Sequence, residues 1–270
     1  MDFICPKCSE KLNISDTGAA VCPSGHSYDR SKHGYYNLLL SAGGGAHGDN
    51  RAMVDARRKF LEGGEYSPLC DELARLCREY FHGGSFVDIG CGEGYYTERV
   101  IAALGKTELP ISASGFDISK DAARYAARRC RTAHFAVASA YRMPYADGSV
   151  DMAMNVFSPL AAGETARILR TGGIFVMAIP GEEHLFGLKR VLYETPYKNQ
   201  VQDTEIEGFK LIDKSHIRYP LSLDTSEKIS SLFMMTPYAY RTPRAAAERL
   251  SLMSSLSCEA EFIILVYEKI

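Results

Sequence analysis

The sequence predicts an α/β protein with a doubly wound, Rossmann-like sheet and a small N-terminal zinc-binding domain. Between residues 85 and 180, short apolar runs alternate with helical patterns. Repeated βα units of this length imply a parallel, doubly wound sheet. Ahead of them, residues 1–40 carry three cysteines and a histidine in two tight pairs, a spacing typical of a metal-binding domain.

Length and composition fit this two-part organisation. The chain has 270 residues, of which 46% are hydrophobic and 24% charged, so wholesale disorder is excluded. No apolar run approaches the roughly 18 residues of a membrane span, and the N-terminus is polar, so we expect a soluble, cytoplasmic protein. The net charge of −2 gives no overall nucleic-acid footprint, which leaves local basic patches to consider.

The N-terminal pairs are Cys5 with Cys8 and Cys22 with His26. They supply the four soft ligands that tetrahedral Zn²⁺ requires, with a small hairpin expected between the pairs. All four positions are used, so the site is predicted to be structural and not catalytic. Coincidence and an iron site are the alternatives. The other five cysteines are scattered, as is typical of small buried side chains in a reducing compartment: Cys70, Cys77, Cys91, Cys130 and Cys258.

Composition divides the chain into three parts. The zinc-binding domain spans 1–40, a linker spans 41–50, and a second domain spans 51–270. The linker reads "SAGGGAHGDN" and has four glycines in ten positions. After it, "NRAMVDARRKFLEGG" predicts a short basic helix that ends at Gly63 and Gly64. "EYSPLCDELARLCREYF" predicts an amphipathic helix that ends before Gly83.

The alternating region supplies the sheet. Predicted strands are "SFVDIG", "ISASGFDIS", "HFAVAS", "VDMAMNVF" and "GIFVMAIP", and predicted helices are "GEGYYTERVIAAL", "KDAARYAARRC" and "AAGETARILR". Beyond Pro180, we expect a helix around "EEHLFGLKRVLYE", a strand at "GFKLIDKSHIRYPL", a helix near Thr242 to Met253 and a final strand at "AEFIILVYE". Two late strands separated by a helix are compatible with an antiparallel edge on a parallel sheet.

A glycine-rich turn, "VDIGCGEGYY", lies where the first strand of this region meets its helix. Gly90, Gly92 and Gly94 allow a sharp turn and a close ligand approach at a helix N-terminus. Their spacing is not the G-x-G-x-x-G of a dinucleotide fingerprint. Asp88, just before the turn, suits a cationic ligand end. Asp117, at the tip of the next strand, is placed to accept hydrogen bonds from ribose hydroxyls.

These residues resemble the class I S-adenosylmethionine-dependent methyltransferases over roughly residues 85 to 180. The resemblance assigns Asp88, Gly90 and Gly92 to the methionine end of the cofactor and Asp117 to its ribose. It assigns the region around Ser139, within "VASAYRMPY", to the adenine. The alternative is a glycine turn in another doubly wound fold.

Three basic stretches are candidates for RNA contact. The first is "YDRSKHGYYNLL", which mixes Arg30 and Lys32 with tyrosines, a combination that contacts phosphates and stacks unpaired bases. The second is "NRAMVDARRKF", and the third is "KDAARYAARRCR", in which Arg124, Arg128 and Arg131 are expected to share a helix face. For each stretch the alternative is a solvated face, and for the tyrosines it is packing inside the zinc-binding domain.

The combination of motifs closely resembles the RlmA-type 23S rRNA guanine-N1 methyltransferases over essentially the whole chain. The Cys5–His26 knuckle is followed by "GYYNLL", "ARRKFLEGGEYSPL", "VDIGCGEGYYT", "FDISK" and "MTPYAYR". The resemblance implies methylation of N1 of one guanine in a hairpin loop of bacterial 23S rRNA, near the peptide exit tunnel. It also implies a zinc module that helps to grip the RNA and a homodimer around a shared cleft. Some members of that family confer resistance to tylosin-like macrolides, a property on which the sequence is silent.

The same resemblance implies cofactor contacts from Tyr66, Tyr96, Thr97 and His184. It assigns no catalytic base, because Asp88 and Asp117 are taken by the cofactor. Neutral guanine N1 carries a proton that must leave, and its edge is reachable only in an unpaired or flipped base. The fourth strand of the alternating region ends in "NVFSP" and not in an Asn-Pro-Pro-Tyr-type motif, which fits a ring-nitrogen target. Asn155, Ser158 and Glu182 are candidates to orient the guanine.

Two other functions are compatible with these observations. One is a small-molecule methyltransferase in which the zinc knuckle serves only folding. The other is a non-catalytic RNA-binding protein that retains a methyltransferase shell.

Overall fold

A computed structural model describes residues 1–40, 48–201 and 205–270 of the protein. Residues 41–47, most of the predicted linker, lie outside the described residues. In chain order, the strands are β1 (Asn13–Ile14), β2 (Ala20–Val21), β3 (Ser27–Tyr28), β4 (Tyr35–Asn37), β5 (Gly84–Ile89), β6 (Ile111–Asp117), β7 (His134–Val137), β8 (Val150–Val156), β9 (Leu169–Pro180), β10 (Phe209–Leu223) and β11 (Leu256–Lys269). The α-helices are α1 (Arg51–Glu62), α2 (Ser67–Tyr80), α3 (Tyr95–Leu104), α4 (Lys120–Arg129), α5 (Ala162–Ile168), α6 (Phe186–Leu192), α7 (Ser226–Met234) and α8 (Arg244–Ser251), with a 3-10 helix at Pro237–Tyr240.

The N-terminal segment forms a ribbon of short antiparallel strands in the order β1-β2-β3. The first hairpin lies between the two cysteine-containing pairs, as predicted. The segment does not end as a separate body, because β4 pairs in parallel with β7 at the edge of the main sheet. The N-terminal segment therefore contributes a strand to the sheet that it precedes.

The main sheet has eight strands in the order β10-β11-β9-β8-β5-β6-β7-β4. Strands β4 to β9 of this sheet run parallel to one another, whereas β11 is antiparallel to both β9 and β10. The predicted doubly wound sheet with an antiparallel edge is confirmed. The carboxyl ends of β5, β6 and β8 lie at one edge of the sheet, where ligands bind in open α/β folds.

Helices cover both faces of the sheet and bury its apolar side chains. Phe86, Phe135 and Phe262 lie on one face, and Phe116 and Phe175 lie on the other, all at 1% exposure or less. The helix α2 packs with a buried stripe at helical spacing, as its sequence predicts. The five scattered cysteines are free and buried.

The region after β10 contains more helix than the sequence pattern predicted. Prediction placed a helix near Thr242 to Met253, and α8 lies there, but α7 and the 3-10 helix precede it. The side chain of Thr225 caps α7 by accepting from the Lys228 backbone nitrogen, and Glu227 lies in its first turn. With only two large apolar side chains buried, Ile229 and Leu232, α7 shows weak periodicity in the sequence. In the part of the chain that the structure describes, no helix is long and apolar enough to span a bilayer.

Candidate functional site

The glycine turn between β5 and α3 has the backbone conformation that its residues predict. Gly90 and Gly92 adopt φ of +72° and +55°, in the left-handed region that favours glycine. A side chain on Gly90 would also collide with the side chain of Ser158, which follows β8. The turn thus brings the start of α3 into contact with the loop after β8, at the carboxyl edge of the sheet.

Asp88 is a buried carboxyl group at the end of β5. Asp88 is only 2% exposed, and its Oδ2 accepts a hydrogen bond of 2.5 Å from Thr97 Oγ1. Burial raises the pKa of Asp88 to about 7, and the nearby charge of Asp117 acts in the same direction. Asp88 forms no ion pair with any of the described residues, so no cation of the protein offsets the cost of burying its charge. A buried carboxylate without a cation suits a ligand that brings one.

Asp117 occupies the tip of β6, where the sequence placed it. Its two carboxylate oxygens accept from the backbone nitrogens of Gly92 at 3.0 Å and Ser119 at 2.7 Å. Burial raises its pKa, whereas these two hydrogen bonds lower it. Ala138, just after β7, donates its backbone N–H to the Asp117 main-chain carbonyl, so the Ser139 region follows directly on a residue that is held to the tip of β6. Each carboxylate oxygen retains a lone pair for a ligand hydroxyl.

Tyr66, His184 and two phenylalanines form an aromatic cluster at the same edge. In this cluster (Tyr66, Phe157, His184 and Phe262), Glu261 donates its backbone N–H to His184 Nδ1 at 3.3 Å. The ring proton therefore sits on Nε2, which lies 3.3 Å from the Tyr66 hydroxyl. Burial lowers the pKa of His184 to about 3, and the charge of Lys189 adds to this effect. His184 is a neutral, fixed ring.

Tyr96 supplies an unpaired donor at the start of α3. Its hydroxyl is buried and has no hydrogen-bond partner among residues 1–40, 48–201 and 205–270. An unsatisfied buried hydroxyl costs free energy, and a polar ligand would remove that cost. Tyr96 follows the glycine turn and Asp88 precedes it, and the buried carboxyl group of Asp88 has no cationic partner in the described residues. Together they fit a ligand that carries both an amino-acid end and a ribose. The residues present therefore fit S-adenosylmethionine.

One residue beside this site was missed by sequence reasoning. Arg57 was assigned to a basic RNA-contacting stretch, but its guanidinium pairs with Asp49 and donates to the Met235 carbonyl at 3.4 Å. Its Nη1 lies 3.8 Å from the position that a Cβ on Gly92 would take. Its charge also lowers the pKa of Asp117. The helix α1 thus covers the glycine turn, a placement that no local pattern indicates.

Two of the candidates for orienting a guanine have other partners in the structure. Asn155 is 1% exposed, and its Oδ1 accepts from the Ser158 backbone nitrogen at 3.2 Å, so it holds the loop after β8. Glu182 pairs with Lys198 at 3.3 Å on the surface. Ser158 lies against Gly90 in the site itself.

The four predicted metal ligands converge in the ribbon. Their ligand atoms all lie within 4.8 Å of one another, with Cys8 Sγ to Cys22 Sγ at 3.6 Å and Cys22 Sγ to His26 Nδ1 at 3.4 Å. Tetrahedral Zn²⁺ with bonds of about 2.3 Å to sulfur places its ligands roughly 3.8 Å apart, so the arrangement fits. Tyr28 directs its hydroxyl to Cys5 Sγ at 3.2 Å, an outer contact that orients the ligand. These residues form a Cys₃His zinc-binding cluster.

Tyrosines of the basic stretch pack inward, which agrees with the alternative of packing that the sequence leaves open and not with stacking on unpaired bases. Tyr35 and Tyr36 in β4 are 5% and 1% exposed. The cations of this stretch stay at the surface: Arg30 and Lys32 are exposed, and neither forms an ion pair in the described residues. The turn that carries these cations lies against α4, because a Cβ on Gly34 would meet Arg30 Nη2 at 3.6 Å and Ala127 Cβ at 3.7 Å. In α1, by contrast, the cations pair with acids.

Comparison with known proteins matches both parts of the chain. The zinc-ribbon family described as "RlmA, N-terminal" matches residues 3–40, and the family described as "Methyltransferase domain" matches residues 86–173. The chain is 33% identical to the 23S rRNA (guanine(748)-N(1))-methyltransferase of Streptomyces fradiae, over 92% of this chain and 89% of that protein. It is 28% identical to a Bacillus subtilis protein provisionally named a 23S rRNA (guanine-N(1)-)-methyltransferase, over 98% of this chain and 96% of that protein.

Solved structures show the same fold. A protein from Anaeromyxobacter dehalogenans, provisionally described as a type II methyltransferase, superposes with a TM-score of 0.50 at 18% identity and covers 72% of this chain and 94% of its own. At this identity the likeness concerns the fold alone.

Proposed function

This chain belongs to the RlmA-type 23S rRNA (guanine-N1)-methyltransferases, and we propose that it transfers a methyl group from S-adenosylmethionine to N1 of a guanine in a hairpin loop of 23S rRNA. The observation that carries the proposal is the sequence identity with the Streptomyces fradiae enzyme, which extends over nearly the full length of both chains and includes the zinc ribbon. The relatives that match nearly the whole chain are named for an rRNA substrate, which favours the proposal over a small-molecule methyltransferase with a merely structural knuckle.

The cofactor site in this proposal consists of the residues at the carboxyl edge of the sheet. Asp88 takes the cationic methionine end, which compensates its burial, and Asp117 takes the ribose through its free lone pairs. The bound cofactor supplies a methyl group already activated on a sulfonium. The proposed contacts are Tyr66, Asp88, Gly90, Gly92, Tyr96, Thr97, Asp117, Ser139 and His184.

The chain must align the target nitrogen with the methyl group and remove its proton. His184 is not the base in this proposal, because burial lowers its pKa to about 3 and both its ring nitrogens are engaged. Its fixed, neutral ring instead belongs to the wall of the site. Because a paired guanine hides N1, the base must enter the site unpaired or flipped.

The RNA-contacting surface in this proposal joins the zinc ribbon to α4. The turn that carries Arg30 and Lys32 lies against α4, since β4 pairs with β7 and a Cβ on Gly34 would meet Ala127 Cβ at 3.7 Å. Arg30, Lys32 and Arg128 are exposed and have no acidic partners in the described residues, so they are available to phosphates, whereas Arg124 pairs with Asp121 at 3.1 Å. We further propose that the protein acts in the cytoplasm. We also propose that it forms a homodimer around a shared cleft, and light scattering on the purified protein tests whether it is a dimer.

Reverse transcription tests the proposed reaction. An N1 methyl group blocks the pairing edge of guanine and stops the polymerase. We expect one stop in large-subunit rRNA from cells that contain the protein and no stop at that position after its deletion. Purified protein and S-adenosylmethionine should restore the stop on rRNA from the deletion strain. If no stop disappears on deletion, the proposal is wrong.

A further inference from the structure

Phe157 combines exposure with a constrained backbone. It follows β8 directly, is 42% exposed, and adopts φ of +59°. Among the large apolar side chains that are exposed in residues 1–40, 48–201 and 205–270, no other has a left-handed backbone. Non-glycine residues in this conformation carry strain, which persists where the surrounding structure imposes it and is often found at functional sites.

The loop that carries Phe157 is held against the glycine turn. The Phe157 backbone nitrogen donates to the Ala178 carbonyl of β9 at 3.1 Å, and Asn155 fixes the next residue through its side chain. Ser158 then contacts Gly90, where a side chain would not fit. The ring of Phe157 is therefore placed beside the proposed methionine end of the cofactor.

The inner side of this ring is supported by other rings. The His184 ring stacks on Phe157 with centroids 6.4 Å apart and planes 22° apart. Phe262 lies 5.7 Å away at 41°. His184 is itself fixed by Tyr66 and by the Glu261 backbone, so Phe157 rests on a rigid support. Rigid support on one side and solvent on the other leave an aromatic face free to bind a planar group.

We propose that the free face of Phe157 stacks on the target guanine and holds the flipped base against the methyl donor. The inference rests on the proposed function and adds to it a base-stacking residue that contacts the substrate. Aromatic rings that stack unpaired bases are a general means of binding single-stranded RNA. Losing such a contact typically lowers the binding constant about tenfold to a hundredfold.

The test compares variants that separate stacking from packing. Phe157→Ala removes the ring, Phe157→Leu keeps apolar volume without a ring, and Phe157→Tyr and Phe157→Trp keep the ring. Methyl transfer from tritiated S-adenosylmethionine into rRNA from the deletion strain gives kcat/KM, and calorimetry gives the Kd for the cofactor. Leu211→Ala, on β10 and 40% exposed, is the matched control.

We expect kcat/KM to fall about tenfold to a hundredfold in the Ala and Leu variants and to stay within about threefold in the Tyr and Trp variants. Cofactor Kd should stay within about twofold throughout. Full activity of Phe157→Ala, or equal activity of the Leu and Tyr variants, would overturn the stacking role. A parallel loss of cofactor affinity would also overturn it. If the Ala variant does not fold, the Leu variant decides. Absence of methylation by the unmodified protein would instead overturn the proposed function and the inference with it.

Discussion

At Asp88, burial and ligand binding have opposite effects on stability. Without a cation, the folded protein disfavours the charged carboxylate, which raises the pKa of Asp88 from 3.8 to about 7. A raised carboxyl pKa means that the folded state binds the extra proton, so stability falls as pH rises between these two values. We expect Asp88→Asn to melt at a higher temperature than the unmodified apo protein at pH 8 and at a similar temperature near pH 4.

The same substitution should abolish cofactor binding at any pH, because the neutral amide cannot compensate a cationic ligand end. For the unmodified protein, cofactor affinity should weaken as pH falls below about 7, where the carboxyl takes up a proton. Thermal melts across pH 4–8 and calorimetry check both statements. If the variant binds cofactor with unchanged affinity, Asp88 does not contact the methionine end.

Gly90 and Gly64 provide a matched pair of left-handed glycines. Alanine at Gly64 meets nothing within 4 Å and adds only backbone strain, about 1 kcal/mol. Alanine at Gly90 adds the same strain and also collides with Ser158. We expect Gly64→Ala to lower the melting temperature slightly with cofactor Kd unchanged, and Gly90→Ala to weaken cofactor binding at least a hundredfold. Similar cofactor affinities in the two variants would show that the contact with Ser158 is unimportant.

The residues with a local signature were predictable. The sequence singles out Asp88, Gly90 and Asp117 because a strand, a turn and a helix follow one another, and the structure places all three at one edge of the sheet. Their contacts with the cofactor stay a prediction. Arg57 and Phe157 were missed, because their roles depend on contacts with Gly92, Met235 and His184 that are distant in sequence. A basic helix and a single phenylalanine carry no sign of such contacts.

At the scale of elements, Arg129 joins α4 to α1, α3 and the glycine turn. It lies 2.8 Å from Glu62, 2.8 Å from Glu93 and 3.5 Å from Glu98. Glu93 lies in the glycine turn and is 1% exposed. Burial raises the pKa of Glu93, and Arg129 opposes this rise. The guanidinium is thus the compensation that lets a carboxylate be buried there.

We expect Arg129→Met to lower the free energy of unfolding by about 3 kcal/mol at pH 7, because Glu93 is left buried and unpaired. The loss should shrink at acidic pH, where Glu93 is protonated, and in the double variant with Glu93→Gln. Urea unfolding measures it, and Arg78→Met, an exposed cation on α2, is the control. A loss that is the same at all pH values would mean that Arg129 acts only through packing.

The ribbon turn and α4 make a second contact between elements. Lys32 and Arg128 are exposed and have no ion-pair partners in the described parts of the chain. We expect Lys32→Glu with Arg128→Glu to weaken rRNA binding more than tenfold and to reduce its dependence on salt, with cofactor Kd unchanged. Filter binding at several salt concentrations measures this. Arg78→Glu with Lys210→Glu, at two exposed cations on α2 and β10, changes the net charge equally and is the matched control. An equal loss there would indicate an effect of net charge alone.

Strand β4 explains why this contact was not foreseen. The string "GYYNLL" was assigned to the zinc-binding domain, but the pairing partner of β4 is β7, about a hundred residues later. Local sequence determines that such a segment is extended and apolar, whereas its partner is chosen by tertiary packing. The division into 1–40, 41–50 and 51–270 stays a prediction.

Across the whole molecule, the zinc ribbon and the sheet share contacts beyond β4. Ile4 donates its backbone N–H to the Pro144 carbonyl at 2.9 Å, and Phe3 packs on Tyr145 with ring centroids 5.4 Å apart. Tyr36 in β4 donates its hydroxyl to the Gly18 carbonyl at 3.0 Å. These contacts hold the ribbon in one orientation relative to the sheet.

Removing the zinc ion tests this coupling. We expect Cys8→Ser to lose zinc, because three ligands remain where a closed tetrahedral site needs four. The ribbon should then unfold, since its short strands bury little apolar surface without the metal. Strands β5 to β11 keep their own core, so cofactor Kd should change less than about threefold, whereas rRNA methylation should fall at least a hundredfold. Metal analysis, calorimetry and methyl transfer measure the three effects.

Cys130→Ala, at a buried cysteine outside the cluster, is the control and should keep its zinc. A loss of cofactor binding in Cys8→Ser would mean that β4 and the Phe3 contact hold the cofactor site in shape. Full methylation without zinc would mean that the ribbon does not orient the RNA. The expected result, cofactor binding without methylation, follows if the ribbon selects and directs the substrate while the carboxyl edge of the sheet carries the reaction.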